Sequence, residues 1–249
     1  MKLQYLSLLV LVAVFTATNC STYLPERHWA KGAANFEKAA ANTKKLGELI
    51  GKYIIDNEIE LEDLQLVGFD IGAHAAGQAG KYIANLTGHY VSRITGLDPA
   101  APKFELDSVP PENKLQKTDA IFVDVIHTNV QKLGYKVPIG HVDWYVNGGN
   151  EQPGCPTLMM PETDVCSHLR VCDLYVESIN YQATSYECTV TIENGTSTVT
   201  KVPSGRHIVF GEKVKLSERG SYTIDTNSVP KYLPRYTVMR AEYHKTWSF

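Results

Sequence analysis

Apolar positions change their period several times along the chain, and each change marks an element. Between residues 36 and 57, Leu46, Leu49, Ile50, Tyr53 and Ile54 fall at i, i+3, i+4, i+7 and i+8. That spacing lines one face of a helix and predicts an amphipathic one. The polar connection 56–63 ends it, and Leu64-Gln65-Leu66-Val67-Gly68-Phe69 reads as a short buried strand. Residues 71–84 have a helical composition crowded with Gly72, Ala73, Ala75, Ala76, Gly77, Ala79 and Gly80. Each glycine costs a helix about 1 kcal/mol, so their presence predicts a helix backbone pressed against a sheet. Val91 to Leu97 and Ala120 to Thr128 read as two more strands. Strand, helix, strand, strand predicts a mostly parallel sheet with helices on its faces. After residue 180, Thr189-Val190-Thr191-Ile192, the Asn194-Gly195 turn and Thr196 to Val202 give a hairpin signal, and 206–216 and 235–244 are further strand candidates. Neither a low-complexity linker nor an internal repeat interrupts the chain, which predicts a single domain over residues 21–249.

Residues 1–20 differ from the rest. Lys2 is followed by Tyr5 to Phe15, apolar apart from Ser7, and then by Thr16-Ala17-Thr18-Asn19. This is the anatomy of a cleaved signal peptide, with the mature N-terminus expected near residues 19 to 21, and the run is too short to span a bilayer. The same Val-rich run also suits a buried strand. The signal-peptide reading implies a secreted, extracellular protein.

Composition narrows the partners. The chain has 249 residues, a formal net charge of −3, 43% hydrophobic and 20% charged residues. No block of like charge points to nucleic acid or, by bulk electrostatics, to an anionic membrane. Of the five cysteines, Cys155, Cys166, Cys172 and Cys188 remain if cleavage follows Cys20. Four cysteines allow two bridges in three connectivities, and a secreted protein makes bridges the default. The chain lacks a CxxC pair, so the cysteines suggest no metal site, and the sequence implies no cofactor. Asn19-Cys20-Ser21, Asn85-Leu86-Thr87 and Asn194-Gly195-Thr196 are glycosylation sequons.

The chemistry centres on Gly68-Phe69-Asp70-Ile71-Gly72, which lies between a predicted strand and a predicted helix. An α/β-hydrolase places its nucleophile elbow, G-x-S-x-G, at such a junction; here the middle residue is Asp70. Around it, residues 66–105 read LVGFDIGAHAAGQAGKYIANLTGHYVSRITGLDPAAPKFE. This stretch resembles the pancreatic-lipase family, including insect-venom phospholipases A1 and lipase-like yolk proteins. The family pattern is G-H-S-L-G-A-H-x-A-G followed by R-I-x-G-L-D-P-A-x-P. The likeness continues through residues 122–128, through 140–145 and 147–149, and through Gln152-Pro153-Gly154-Cys155 and Cys166-Ser167-His168-Leu169-Arg170. It covers residues 36–188.

The resemblance implies an α/β-hydrolase fold, N-terminally shortened, and a site assembled from Asp70, Asp98 and His168. Asp98 sits at the family's acid position, His168 at its base position, and Asp70 at the nucleophile position. The Ile71 amide is the implied oxyanion donor. His74, His127 and His141 match family histidines outside the triad and are read as structural. The resemblance also implies a lid disulfide Cys155–Cys166, a second disulfide Cys172–Cys188, and a short lid whose Leu158, Met159 and Met160 either meet lipid or fold inward. Two departures weigh on activity. A carboxylate attacking an ester carbonyl gives a mixed anhydride in place of an acyl-serine ester. The loop that supplies the family's second oxyanion donor precedes the matched segment and is expected to be missing, either because the domain is shortened or because the chain is a fragment of a longer protein, so restoring serine alone is expected to restore little. The expected function is that of a catalytically inactive lipase-family protein binding lipid or protein. The alternative is an active carboxylester hydrolase, with Asp70 as a possible nucleophile of the dehalogenase type. An ester-containing small molecule or a lipid surface is the expected partner.

Overall fold

The computed structural model describes residues 9–12, 29–156 and 161–235. In chain order the elements are β1 Leu9–Val12, α1 Trp29–Asp56, β2 Gln65–Phe69, α2 Ile71–Thr87, β3 Arg93–Leu97, β4 Phe122–His127, β5 Val142–Val146, α3 Pro161–Asn180, β6 Thr184–Glu193, β7 Thr196–Lys201, β8 His207–Val209 and β9 Gly220–Ile224. Among the described residues the strands form one sheet in the order β1-β2-β3-β4-β5-β9-β6-β7, with β8 beside β6. From β1 through β9 the pairing is parallel, and β6 turns antiparallel against β9, β7 and β8. This mostly parallel sheet flanked by helices is the expected α/β-hydrolase architecture.

Alternation along the strands separates two cores, as the two-residue period of a strand requires. Leu66, Ile94, Val123 and Val125 pack with Ile54 of α1 and with Ala73, Ala76, Ala79 and Ile83 of α2. Val67, Leu97, Phe122, Ile126, Trp144 and Tyr222 pack on the other face with Val171, Leu174 and Tyr175 of α3. Helices therefore cover both faces. The small residues of α2 serve close approach: a Cβ added at Gly80 would stand 2.2 Å from the Asp119 carbonyl oxygen.

Two local expectations are corrected. On α1, Leu49 and Tyr53 are 57% and 62% exposed. Of the expected stripe Ile54 is buried with Ile50 packed beside it, while Gly47 and Gly51 make the close approach to α2, where two backbones this near exclude large side chains. The candidate at 206–216 contracts to β8 followed by a 3₁₀ turn at Gly211–Lys213. The candidate at 235–244 falls outside the described residues from 236 on. Periodicity also did not identify β5, α3 and β9. The hairpin turn is as expected, with Asn194 and Gly195 at φ 50° and 79°, the positive pair a type I′ turn requires.

Leu9–Val12 lies in the stretch assigned to a signal peptide, and in the structure it pairs parallel with Gln65–Gly68. Among the described residues, no helix is long and apolar enough to cross a membrane.

Candidate active site

The site forms at the C-terminal edge of the parallel sheet, where β2 and β3 each deliver a carboxylate. Asp70 follows β2 directly and caps α2 with φ 55° and ψ −123°, a strained conformation for a residue with a side chain. The turn closes because Gly68 has no side chain: a Cβ there would lie 2.2 Å from the Gly72 carbonyl oxygen. The Asp70 amide donates to the Leu97 carbonyl at 3.1 Å, locking the elbow to the end of β3. Asp98, one residue beyond, is fully buried, with φ 40°. Its Oδ1 accepts from the Thr128 and Asn129 amides at 2.8 and 3.2 Å, just past the end of β4.

His168 reaches these carboxylates from α3. Its Nδ1 lies 2.6 Å from Asp98 Oδ2 and its Nε2 lies 3.2 Å from Asp70 Oδ1. The Phe69 ring packs against the imidazole with centroids 4.6 Å apart. Behind it, the neighbouring Ser167 hydroxyl accepts the Gln152 amide at 2.9 Å, and the Gln152 side chain donates to the Thr128 and Val146 carbonyls. The three residues named from the sequence thus converge, whereas Thr128, Asn129, Phe69 and Gln152 emerge only from the geometry. The first two act through backbone amides and leave no side-chain signal.

Electrostatics fix the protons. Burial alone lowers the His168 pKa, but the hydrogen bonds to Asp70 and Asp98, with their charges, raise it to about 10. Burial pushes Asp70 up, yet the His168 hydrogen bond and charge, assisted by the Ile71 amide, hold it below the ordinary carboxylate range. At neutral pH the cluster is an imidazolium donating from both nitrogens to two carboxylates. The Ile71 amide lies in the first turn of α2, where N–H groups have no intrahelical acceptor.

The other histidines are held by structure. His74 accepts the Leu115 amide and contacts the Ala100 carbonyl, and burial lowers its pKa to about 4. His127 bridges Asp143 and the Tyr135 carbonyl. His141 accepts the Val123 amide. Among the described residues no His, Cys, Asp and Glu cluster suits a metal ion.

Cys155 and Cys166 form a disulfide at the base of the segment preceding His168. Residues 157–160, which include Leu158, Met159 and Met160, lie outside the described residues. The expected Cys172–Cys188 bridge is corrected: Cys172 is disulfide-bonded, but Cys188 is a free, buried thiol. The sheet separates the two. Cys172 belongs to the core beneath α3, which takes Val142, Trp144 and Val146 from β5. Cys188 feels the charge of Asp143, a β5 position that points to the opposite face.

A family profile described as Lipase matches residues 26–198. The chain belongs to the lipase family. It is 43% identical to lipase member H-A of Xenopus laevis over 159 residues, covering 61% of this chain and 33% of that protein. It is 41% identical to a phospholipase A1 of Vespula squamosa over 152 residues, covering 59% of this chain and 49% of the wasp protein. Lipase member H of Mus musculus is 36% identical over 169 residues, 64% of this chain and 36% of the mouse protein. The chain therefore spans between a third and a half of the length of these relatives.

Proposed function

We propose that this protein is a secreted lipase-family member that binds a lipid or ester-containing ligand, or a protein, without hydrolysing esters. The observation that supports this reading is the Asp70–His168 contact of 3.2 Å at the elbow. Acyl transfer by the family's chemistry starts from a neutral hydroxyl whose proton passes to a neutral imidazole. With Asp70 at the serine position there is no hydroxyl proton to transfer. With the His168 pKa raised to about 10, the base is already protonated at neutral pH. Removing a triad nucleophile costs about six orders of magnitude in kcat in a serine protease. Here nucleophile and base are altered together.

The Ile71 amide bonds the Asp70 carboxylate, whose charge would repel an alkoxide developing beside that donor. Attack by Asp70 on an sp³ carbon would give an ordinary ester. Hydrolysing that ester would then need a histidine able to accept a proton from water, and the imidazolium between two carboxylates argues against it. The disulfide Cys155–Cys166 supports an oxidising compartment and hence secretion.

The test is release of a fluorescent acyl group from a phospholipid and from a triglyceride by the wild-type chain, Asp70→Ala, Asp70→Ser and His168→Ala. Background rates are expected for wild type and both alanine variants, with at most a slight gain in Asp70→Ser. Robust wild-type turnover lost in both alanine variants would overturn the inactive reading in favour of Asp70 as nucleophile.

A further inference from the structure

At the opposite edge of the sheet from Asp70, the loops that enter β3, β4, β5 and β9 enclose an open groove of about 530 Å³. Tyr90, Lys117, Thr118, Ile121, His141 and Arg219 line it. These four strands are adjacent and parallel, so their N-terminal ends gather the groove's side chains at one place. A strand of five or six residues is roughly 17–20 Å long, which separates this groove from the carboxylates at the other edge.

The groove carries positive charge that no ion pair among the described residues neutralises. None of the ion pairs formed among the described residues takes up Lys117 or Arg219. Arg219 donates from one terminal nitrogen to the Leu216 and Glu218 carbonyls and lies over the Phe122 ring, 5.6 Å from its centroid. His141 stacks on the same ring. Its Nδ1 accepts the Val123 amide at 3.0 Å, which assigns the ring proton to Nε2 and makes that nitrogen a donor. Burial, then the charges of Arg219 and Lys117, lower the His141 pKa, with Asp143 opposing, so the ring is a neutral donor at physiological pH. Two unpaired cations, an imidazole N–H and the Thr118 hydroxyl match the charge and the acceptors of a doubly negative tetrahedral oxyanion.

We propose that this groove binds the phosphate of a phosphate monoester, through Lys117, Arg219 and the Nε2–H of His141, at a site separate from the Asp70–Asp98–His168 cluster.

The experiment titrates the full chain with inorganic phosphate and follows the His141 ring by ¹H–¹⁵N spectroscopy, with chloride at matched ionic strength as the control. The expected result is a saturable His141 shift that is weakened at least about ten-fold in the double variant Lys117→Ala, Arg219→Ala, the loss expected for removing charge-assisted hydrogen bonds. Unchanged spectra elsewhere show that the double variant is folded, and Arg219→Lys, which keeps the charge, retains part of the affinity. Two further arms separate the sources of the phosphate. Co-sedimentation with phosphatidylcholine vesicles containing phosphatidic acid, lost in the double variant, assigns it to a lipid headgroup. Phosphate binding without co-sedimentation assigns it to a soluble ester. A His141 resonance that does not respond to millimolar phosphate, or that responds equally in the folded double variant, overturns the proposal.

Discussion

Asp70 Oδ1 stands 3.2 Å from His168 Nε2, while Asp98 Oδ2 holds the other ring nitrogen at 2.6 Å. On the proposed reading the contact reverses the roles of a catalytic triad. The histidine donates to the group at the elbow, and the carboxylate there is stabilised as an anion.

The first prediction is spectroscopic. In wild type the His168 ring is doubly protonated, and titration by ¹⁵N NMR is expected to give a pKa of about 10. Asp70→Asn leaves Asp98 as the one carboxylate on the ring, and the His168 pKa is expected to fall well below the wild-type value. A wild-type ring that titrates near the ordinary 6.5 would show that the Asp70 contact does not form in solution.

The second prediction concerns stability against pH, and its sign follows from linkage. The His168 pKa is raised from 6.5 to about 10, so its contribution is fully present below 6.5 and is lost as pH rises through about 10. Asp70 is lowered from 3.8, so its contribution is present above 3.8 and is lost as pH falls through its lowered value. Both contributions act in full between about 3.8 and 6.5. Urea denaturation across pH should show wild type losing stability on the alkaline side more steeply than Asp70→Asn. Parallel profiles for the two proteins would argue against this coupling.

The site was legible in the sequence because its side chains follow ordered motifs. Asp70 and Asp98 each come directly after an apolar strand run, and His168 stands two residues past Cys166. The proton state was not legible, because it depends on two carboxylates converging on one ring from β2 and β3. Helix α1 was legible as a helix but not as to its buried face. The apolar stripe at Leu49 and Tyr53 points outward, while Gly47 and Gly51, which carry no hydrophobic signal, make the close approach to α2. Residues 9–12 read as part of a signal peptide, with a buried strand as the lesser alternative, since a short Leu/Val run satisfies both and periodicity cannot separate them. Cys188 was misassigned because sequence order says nothing of which sheet face a strand residue takes.

A third prediction tests the elbow. Gly68→Ala places a Cβ 2.2 Å from the Gly72 carbonyl oxygen and 2.4 Å from its carbonyl carbon, both backbone atoms that cannot rotate away. The turn must open, which shifts Asp70 from His168. The expected cost is at least about 2 kcal/mol of stability by urea denaturation, in the range of overpacking in a rigid interior. The His168 pKa should fall in the same variant. A substitution that leaves both unchanged would mean that the strand-to-helix turn is looser than its geometry indicates.

The last prediction concerns the cysteines. Cys155 and Cys166 are bridged across a sequence separation of 11, so peptide mapping under non-reducing conditions should recover them together. The peptide carrying Cys172 should also be disulfide-linked, but not to the peptide carrying Cys188. Cys20 is the remaining cysteine of the sequence and the partner to look for. Its recovery would also show that the mature chain keeps residue 20. Cys188 is 6% exposed, and burial, then the charges of Asp143 and Glu187, push its thiol up to about 12. A protonated, buried thiol is a poor nucleophile, so alkylating reagents at neutral pH should leave it untouched in the native protein and modify it once the chain is unfolded without reductant. Rapid native labelling of Cys188 would place it on an accessible surface. A recovered Cys172–Cys188 pair would require both residues on one face of the sheet, contrary to the opposite faces from which they approach β5.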